Sequence, residues 1–310
     1  MRIYHQLSDY VQPPYPVVTV GTFDGVHLGH MKILERLRQI ADQNGGKVVL
    51  LTFHPHPRKV ISGRDSDFEM LNTPSEKAIL LEQAGVDVLV IQPFTLEFSR
   101  LEYDEFVRQV LVKALGVNTL VIGYDHQFGF GRKGGMDALR ELGPRWGFEV
   151  EEIPKQDIEA VAVSSTRIRR ALHAGEVELA RQLLGYGYSI QGTVVEGKQL
   201  GRTLGYPTAN LRMEDPDKLI PMNGVYAVSV EWEGHTCSGA LNIGNRPTFD
   251  NGPRSIEVHL LDFSGDLYGK QLRIHFAHLL RPEMKFDSVE CLVEQMKKDC
   301  EQARELLGGR

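Results

Sequence analysis

The chain has 310 residues and a formal net charge of −6, from 35 Lys plus Arg against 41 Asp plus Glu. That length predicts about two domains, and the mild acidity argues against a nucleic-acid binder, which needs a basic footprint. Cys237, Cys291 and Cys300 lack metal-ligand spacing and cannot complete a disulfide framework; no secretory h-region or bilayer-length apolar run is present, so a cytoplasmic protein without a membrane role is expected.

Aliphatic runs alternate with helical patterns up to about residue 155. Val17–Val20 predicts a buried strand, and Met31, Ile33, Leu34, Leu37 and Ile40 mark the helix after it. Lys47–Phe53 is the next strand. Thr73, Pro74 and Glu76 fit a capping box that opens a helix to about Gln83. A strand at Asp87–Gln92, a helix at Tyr103–Leu115 and a strand at Asn118–Gly123 follow. This alternation predicts a parallel sheet with helices on its faces. Ligands bind beyond the carboxyl ends of such strands, so the loops after Val20, Phe53 and Gly123 are the places to look.

The first of those loops is GTFDGVHLGH, residues 21–30. Gly21, Gly25 and Gly29 allow a tight turn and close backbone approach. The helix that follows offers unpaired N–H groups to an anion. His27 and His30 lie one turn apart and face one pocket; imidazoles beside a phosphate stabilise developing charge. Metal binding by this pair would need a third ligand, for which His54 and His56 are the nearest source.

The loop after Gly123 reads GYDHQFGFGRKG, with glycines at 129, 131 and 134. It follows a late strand, so it is not a dinucleotide fingerprint. Basic residues gather there at Arg132–Lys133, and again at Arg167, Arg169 and Arg170. The stretch VSSTRIR, residues 163–169, opens a helical pattern that runs to about Gly185. Ser165 and Thr166 suit an N-terminus, and the Arg169 guanidinium can fork onto a phosphate.

Beyond residue 186 the character changes. Tyr188–Val195, Val225–Trp232, Thr236–Ile243, Ser255–Phe263 and Leu272–Leu280 read as strands with turns and no helices between them. An antiparallel sheet or barrel is expected, closed by a helix from about Asp287 to Leu307. The domains are thus placed at residues 1–186 and 187–310. The loop at residues 194–211, VVEGKQLGRTLGYPTANL, carries Gly197, Gly201 and Gly205 with Lys198 and Arg202. Its spacing is not that of a Walker A loop. Thr208 and Asn210, two apart, share a face if extended and can address a metal-nucleotide. Glu257 and His259 fall on the face opposite Ile256, Val258 and Leu260.

These segments carry a resemblance. The pattern G-x-F-D-G-x-H-x-G-H resembles the H-x-G-H signature of nucleotidyltransferases, in the form seen in the bacterial bifunctional riboflavin kinase/FMN adenylyltransferase (FAD synthetase) family. Residues 163–169 are similar to that family's I-S-S-T-x-I-R motif, with Val163 in place of Ile. Residues 123–134 are similar to its G-x-D-F-x-F-G-x-x-R-x-G loop, with His126 in place of Phe. Residues 197–210 resemble the riboflavin kinase pattern, which continues through NGVYAV at 223–228, LNIGNRPTF at 241–249, IEVHLLDF at 256–263 and RPEMKF at 281–286.

The resemblance implies an α/β, Rossmann-like nucleotidyltransferase domain followed by a riboflavin kinase barrel. It implies that His27, His30 and Arg169 stabilise charge on ATP phosphates, with Ser165 and Thr166 holding the triphosphate. Gly21, Phe23, Asp24 and Gly29 would shape that site, and Asp125, Phe128 and Arg132 would lie near flavin or ATP. In the second domain it implies that Gly201, Arg202 and Gly205 wrap phosphates. Thr208 and Asn210 would hold Mg²⁺-ATP, Glu257 would act as base, and RPEMKF would form part of a flavin flap. The expected partners are ATP, riboflavin, FMN and FAD. A nucleotidyltransferase for another phosphorylated substrate and a non-catalytic flavin or nucleotide sensor are the rival readings.

Overall fold

A computed structural model describes residues 1–63, 68–124, 126–154, 163–197, 200–244 and 254–308. Contact density divides the chain into two compact units, Met1–Ser165 and Thr166–Arg310. The expected boundary at residue 186 lies later, so the helices of residues 165–184 are grouped by compactness with the second unit.

The first unit is a parallel sheet of β1 (Arg2–Tyr4), β2 (Pro16–Val20), β3 (Lys47–His54), β4 (Val88–Pro93), β5 (Thr119–Gly123) and β6 (Glu149–Ile153), in the order β1-β4-β3-β2-β5-β6. All its pairings are parallel. Both faces are covered, as parallel sheets require. Val49 and Leu51 of β3 face one core, with Phe106, Leu111 and Leu139. Val48 and Leu50 face the other, with Leu34, Leu37 and Leu81. The period-2 alternation of one strand thus feeds two cores.

The helices are α1 (Leu28–Gln43), α2 (Pro57–Ser62), α3 (Pro74–Gln83), α4 (Tyr103–Phe106) and α5 (Met136–Trp146). The expected capping box of α3 is present: the Thr73 side chain accepts from the Glu76 N–H, and the Glu76 carboxylate accepts from the Thr73 N–H. The helix expected over Tyr103–Leu115 begins as α4 and widens to a π-helix over Val107–Ala114.

The order of the sheet places β2 where the winding reverses. From β2 the chain builds outward through β3 and β4 on one side and through β5 and β6 on the other. The loop after β2 therefore sits at the topological switch point, where ligand crevices form in open α/β sheets.

The second unit opens with α6 (Ser165–His173) and α7 (Val177–Leu184). The continuous helix expected there is broken at Gly175, whose φ of 77° is left-handed. A closed barrel follows: β7 (Ser189–Val195), β8 (Ala209–Met213), β9 (Gly224–Trp232), β10 (His235–Gly244), β11 (Ser255–Leu260) and β12 (Gln271–Pro282), in the order β10-β11-β8-β7-β12-β9. Every pairing is antiparallel. Two features depart from expectation: the strand β8, and a short helix, α8 (Leu200–Thr203), between β7 and β8. The closing helix α9 (Val289–Leu307) packs Cys300 and Ala303 against Ala227 and Leu261.

Candidate functional site

The turn after β2 is held in an unusual backbone. Phe23 and Val26 have φ of 45° and 34°, and Gly25 has 88°. Positive φ at Phe and at a β-branched Val is strained, and such strain persists only when the surroundings impose it. Four tethers do so. The Thr22 carbonyl accepts from Lys77 Nζ at 2.7 Å and from the Thr52 hydroxyl at 3.2 Å. The buried Asp24 carboxylate accepts from the Leu71 and Asn72 amides at 3.0 and 3.4 Å. The Asp24 carbonyl accepts from the Ser165 hydroxyl at 2.8 Å.

The turn delivers two histidines. His27 caps α1, its Nδ1 accepting from the His30 N–H at 3.3 Å. In the neutral form of His27 the proton therefore sits on Nε2. The His30 ring lies between His27, stacked at 3.7 Å and 12°, and Phe23 at 4.7 Å. His30 Nδ1 is buried with no hydrogen-bond partner among the described residues. Burial, then the neighbouring His27 and Lys77, hold His30 well below the ordinary imidazole value. Gly29 is needed for close packing: a Cβ there would stand 3.1 Å from Val163 Cγ1 and 3.3 Å from the His27 ring.

The structure thus brings Gly21, Phe23, Asp24, His27, Gly29, His30 and Ser165 into one constellation. A buried polar atom without a partner, beside a helix N-terminus, is a place for a ligand anion. Thr166 and Arg169 follow one turn apart on α6. Phe128 is buried in the core against Phe106, with centroids 5.5 Å apart. Arg132 is exposed on a left-handed turn residue with φ of 59°. Asp125 lies outside the described residues. Sequence reasoning missed Lys77, which is 7% exposed. Among the described residues, no group of three or more His, Cys, Asp or Glu could hold a metal ion.

The barrel carries a second constellation. On β11, Ile256, Val258 and Leu260 are buried, and Glu257 and His259 alternate with them, half-buried. Glu257 pairs in register with Asn210 of β8 and Asn242 of β10. The Thr208 hydroxyl donates to Glu257 Oε2 at 3.2 Å. His259 Nδ1 lies 2.8 Å from the Pro207 carbonyl, which ties the loop to the strand. The Asn210 carboxamide lies over Gly197, where any Cβ would collide with it. Gly201 and Arg202 are in α8, and Gly205 turns the chain with φ of 86°. Lys198 lies outside the described residues, as does the 245–249 part of the LNIGNRPTF segment.

RPEMKF is anchored at its first residue. Arg281 donates to the Asp299 carboxylate of α9 from Nε at 3.1 Å and Nη2 at 2.9 Å, and its guanidinium lies 5.5 Å from the Phe286 ring centroid. Asp299 also accepts from Gln295 at 2.8 Å. Glu283 accepts from Asn223 at 3.1 Å, and Arg254 donates to Asn223 at 2.8 Å. Sequence reasoning did not single out Asp299, Asn223 or Arg254.

Comparison with known proteins covers both units of the chain. The family model described as FAD synthetase covers residues 11–167, and that described as riboflavin kinase covers 184–307. A bifunctional riboflavin kinase/FMN adenylyltransferase of Listeria monocytogenes is 42% identical over 93% of this chain and 91% of its own length. Proteins of the same name from Bacillus subtilis and Escherichia coli K12 are 40% and 36% identical, over 93% and 99% of this chain and 91% and 97% of their own lengths. A crystal structure of a protein called a macrolide-efflux protein, from Streptococcus pneumoniae, superposes with a TM-score of 0.87 at 33% identity. It covers 97% of this chain and 98% of its own. Among the described residues of this chain, no helix is long and apolar enough to cross a membrane.

Proposed function

Because this chain belongs to the bifunctional riboflavin kinase/FMN adenylyltransferase family, we propose that its barrel phosphorylates riboflavin and its parallel-sheet unit adenylylates the FMN produced. The observation that carries this reading is a contrast between two carboxylates. Glu257 stands beside Thr208 with a carboxylate able to take a proton, while Asp24 is occupied by two backbone amides.

Phosphorylation of a neutral hydroxyl needs a proton acceptor. The riboflavin 5′-oxygen bonds to the ATP γ-phosphorus as the bond to ADP breaks, and Glu257 takes the hydroxyl proton. Thr208 and Asn210 supply hydroxyl and carboxamide oxygens, the hard donors that suit Mg²⁺. They would hold the Mg²⁺ of the nucleotide, which would supply charge neutralisation at the phosphates. Gly201, Arg202 and Gly205 border the same loop and would wrap the phosphates.

Adenylyl transfer begins from a phosphate that is already ionised. An FMN phosphate oxygen bonds to the ATP α-phosphorus, and pyrophosphate leaves. No proton has to be removed from the nucleophile. What the site must supply is positioning and charge stabilisation. The stacked His27 and His30 at the N-terminus of α1, with Arg169, suit that task. Ser165 and Thr166 would hold the triphosphate, and Phe128 and Arg132 would lie near flavin or ATP.

Product analysis tests the reading. Incubation with riboflavin, ATP and Mg²⁺ should yield FMN first and FAD second. No flavin product from the folded protein, with oxidised or reduced flavin, would sink it in favour of a sensor. FMN without FAD, from riboflavin or from supplied FMN, would remove the adenylylation step.

A further inference from the structure

A charged side chain lies buried behind the histidine turn. Lys77 follows the α3 capping box directly, and its amide donates to the Thr73 carbonyl at 2.9 Å. It shares a helix face with Leu81, which is fully buried, and is itself 7% exposed. Lysine is almost never this buried unless its charge is engaged. Here Nζ donates to the Thr22 carbonyl at 2.7 Å, at the start of the strained turn. The Thr52 hydroxyl bonds the same carbonyl. Lys77 is therefore the cationic member of the set of tethers that holds Phe23 and Val26 at positive φ.

We propose that Lys77 is a positioning residue for adenylyl transfer: its ammonium, bonded to the Thr22 carbonyl, holds the turn that presents His27 and His30 to the nucleotide phosphates. The inference rests on the adenylylation reading of that site. It extends the machinery to a helix that carries none of the family-like motifs.

The electrostatics are consistent with this role. Burial pulls the Lys77 ammonium below its ordinary value, and Asp24 on the turn pushes it back up. The positive charge in turn lowers His30. The other titratable groups near Lys77 are His54 and His56, which line the small cavity that Lys77 shares with Thr52 and Asn72, and its neighbour Glu76. A lysine here favours an uncharged His30 before the nucleotide arrives. The ring is then free to donate or accept according to the phosphate oxygen it meets.

The test uses the full-length protein and Lys77→Met, which keeps side-chain length and removes the charge. FAD formation from supplied FMN and ATP should fall in kcat by roughly 100-fold, the size expected when reacting groups are misplaced. KM for FMN should stay within about threefold, and FMN formation from riboflavin within about twofold, because mispositioned phosphates impair the transition state rather than flavin binding. By histidine NMR, the His30 titration should rise in the variant towards the ordinary imidazole value of 6.5. An adenylylation kcat within threefold of wild type overturns the proposal, as does an equal loss of both activities. If Lys77→Met does not fold, Lys77→Gln decides by the same two activities: a selective loss of adenylylation supports the proposal, and an adenylylation kcat within threefold of wild type or an equal loss of both activities overturns it. A wild-type protein that makes no FAD from FMN sinks the adenylylation reading itself, an outcome separate from any behaviour of the variant.

Discussion

The two constellations handle phosphate chemistry with different materials. The parallel-sheet unit offers aromatic rings, backbone amides and a buried lysine. Its nearby carboxylate, Asp24, is tied into the Leu71 and Asn72 amides. The barrel offers oxygen: Thr208, Asn210 and a Glu257 carboxylate bonded by a hydroxyl. The difference follows the nucleophile. A phosphate arrives ionised and needs its charge countered; an alcohol arrives with a proton that must go somewhere.

The sharpest way to break that comparison is Glu257→Ala. Loss of the base should lower FMN formation from riboflavin by roughly 10²–10⁴-fold and leave FAD formation from supplied FMN near wild type in a chromatographic assay. An unchanged kinase rate would remove Glu257 from the mechanism.

Next in size is a stability effect confined to the barrel. Asp299→Ala strands Arg281, whose side chain is 16% exposed against 5% for Asp299. Breaking a buried pair costs about 3–5 kcal/mol, so the barrel's Tm should fall and the RPEMKF segment lose its anchor. A Tm unchanged in calorimetry would show that the pair contributes nothing net.

His30→Ala mirrors Glu257→Ala. FAD formation should fall by about 10²–10³-fold, with riboflavin phosphorylation retained. The same residue gives a pH signature. Its folded value lies below its unfolded one, so the unfolded chain binds more protons between the two. The stability linked to His30 is fully present above the unfolded value of 6.5 and is lost as pH falls through the depressed folded value. Denaturant titrations of wild type and His30→Gln across that window should converge at low pH. Parallel curves would show that burial of the neutral ring does not contribute.

The smallest effect is expected from Thr73→Ala, which removes the cap that sets the start of α3. It should cost about 1 kcal/mol and lower adenylyl transfer slightly by loosening the helix that carries Lys77. A kinase defect from this change would contradict the separation of the two sites.

Long aliphatic strands were legible in the sequence because burial on both faces leaves an unbroken apolar run, as in β2 through β5. β6 was not: Glu149, Val150, Glu151 and Glu152 belong to an edge strand that is only partly covered. β8 was missed because Ala209–Met213 has one buried residue, Leu211. The π-helical turns of Val107–Ala114 keep an apolar face, so the pattern looked like an ordinary helix. The histidine pair and the Thr208, Asn210 and Glu257 group were legible as motifs, and their neighbours were not. Asp299 acts through a partner 18 positions away, and no local pattern announces such a contact. Lys77 was hidden by the expectation that lysine is solvated. The available signal was its place four residues before Leu81, on the apolar side of α3.

The barrel's strand order has a consequence for how the protein emerges during synthesis. β7 pairs with β12 and with β8, and β9 also needs β12 to complete its pairing. A nascent chain that has delivered Ser189–Val195 must still deliver Gln271–Pro282 before the barrel can close. The parallel sheet, by contrast, has all its strands once Ile153 has been added. Closing contacts so distant in sequence is slow, and it leaves strand edges open meanwhile. On the ribosome the sheet unit can therefore condense while the barrel still waits for its last strand, and the barrel is the half whose strand edges stay open longer.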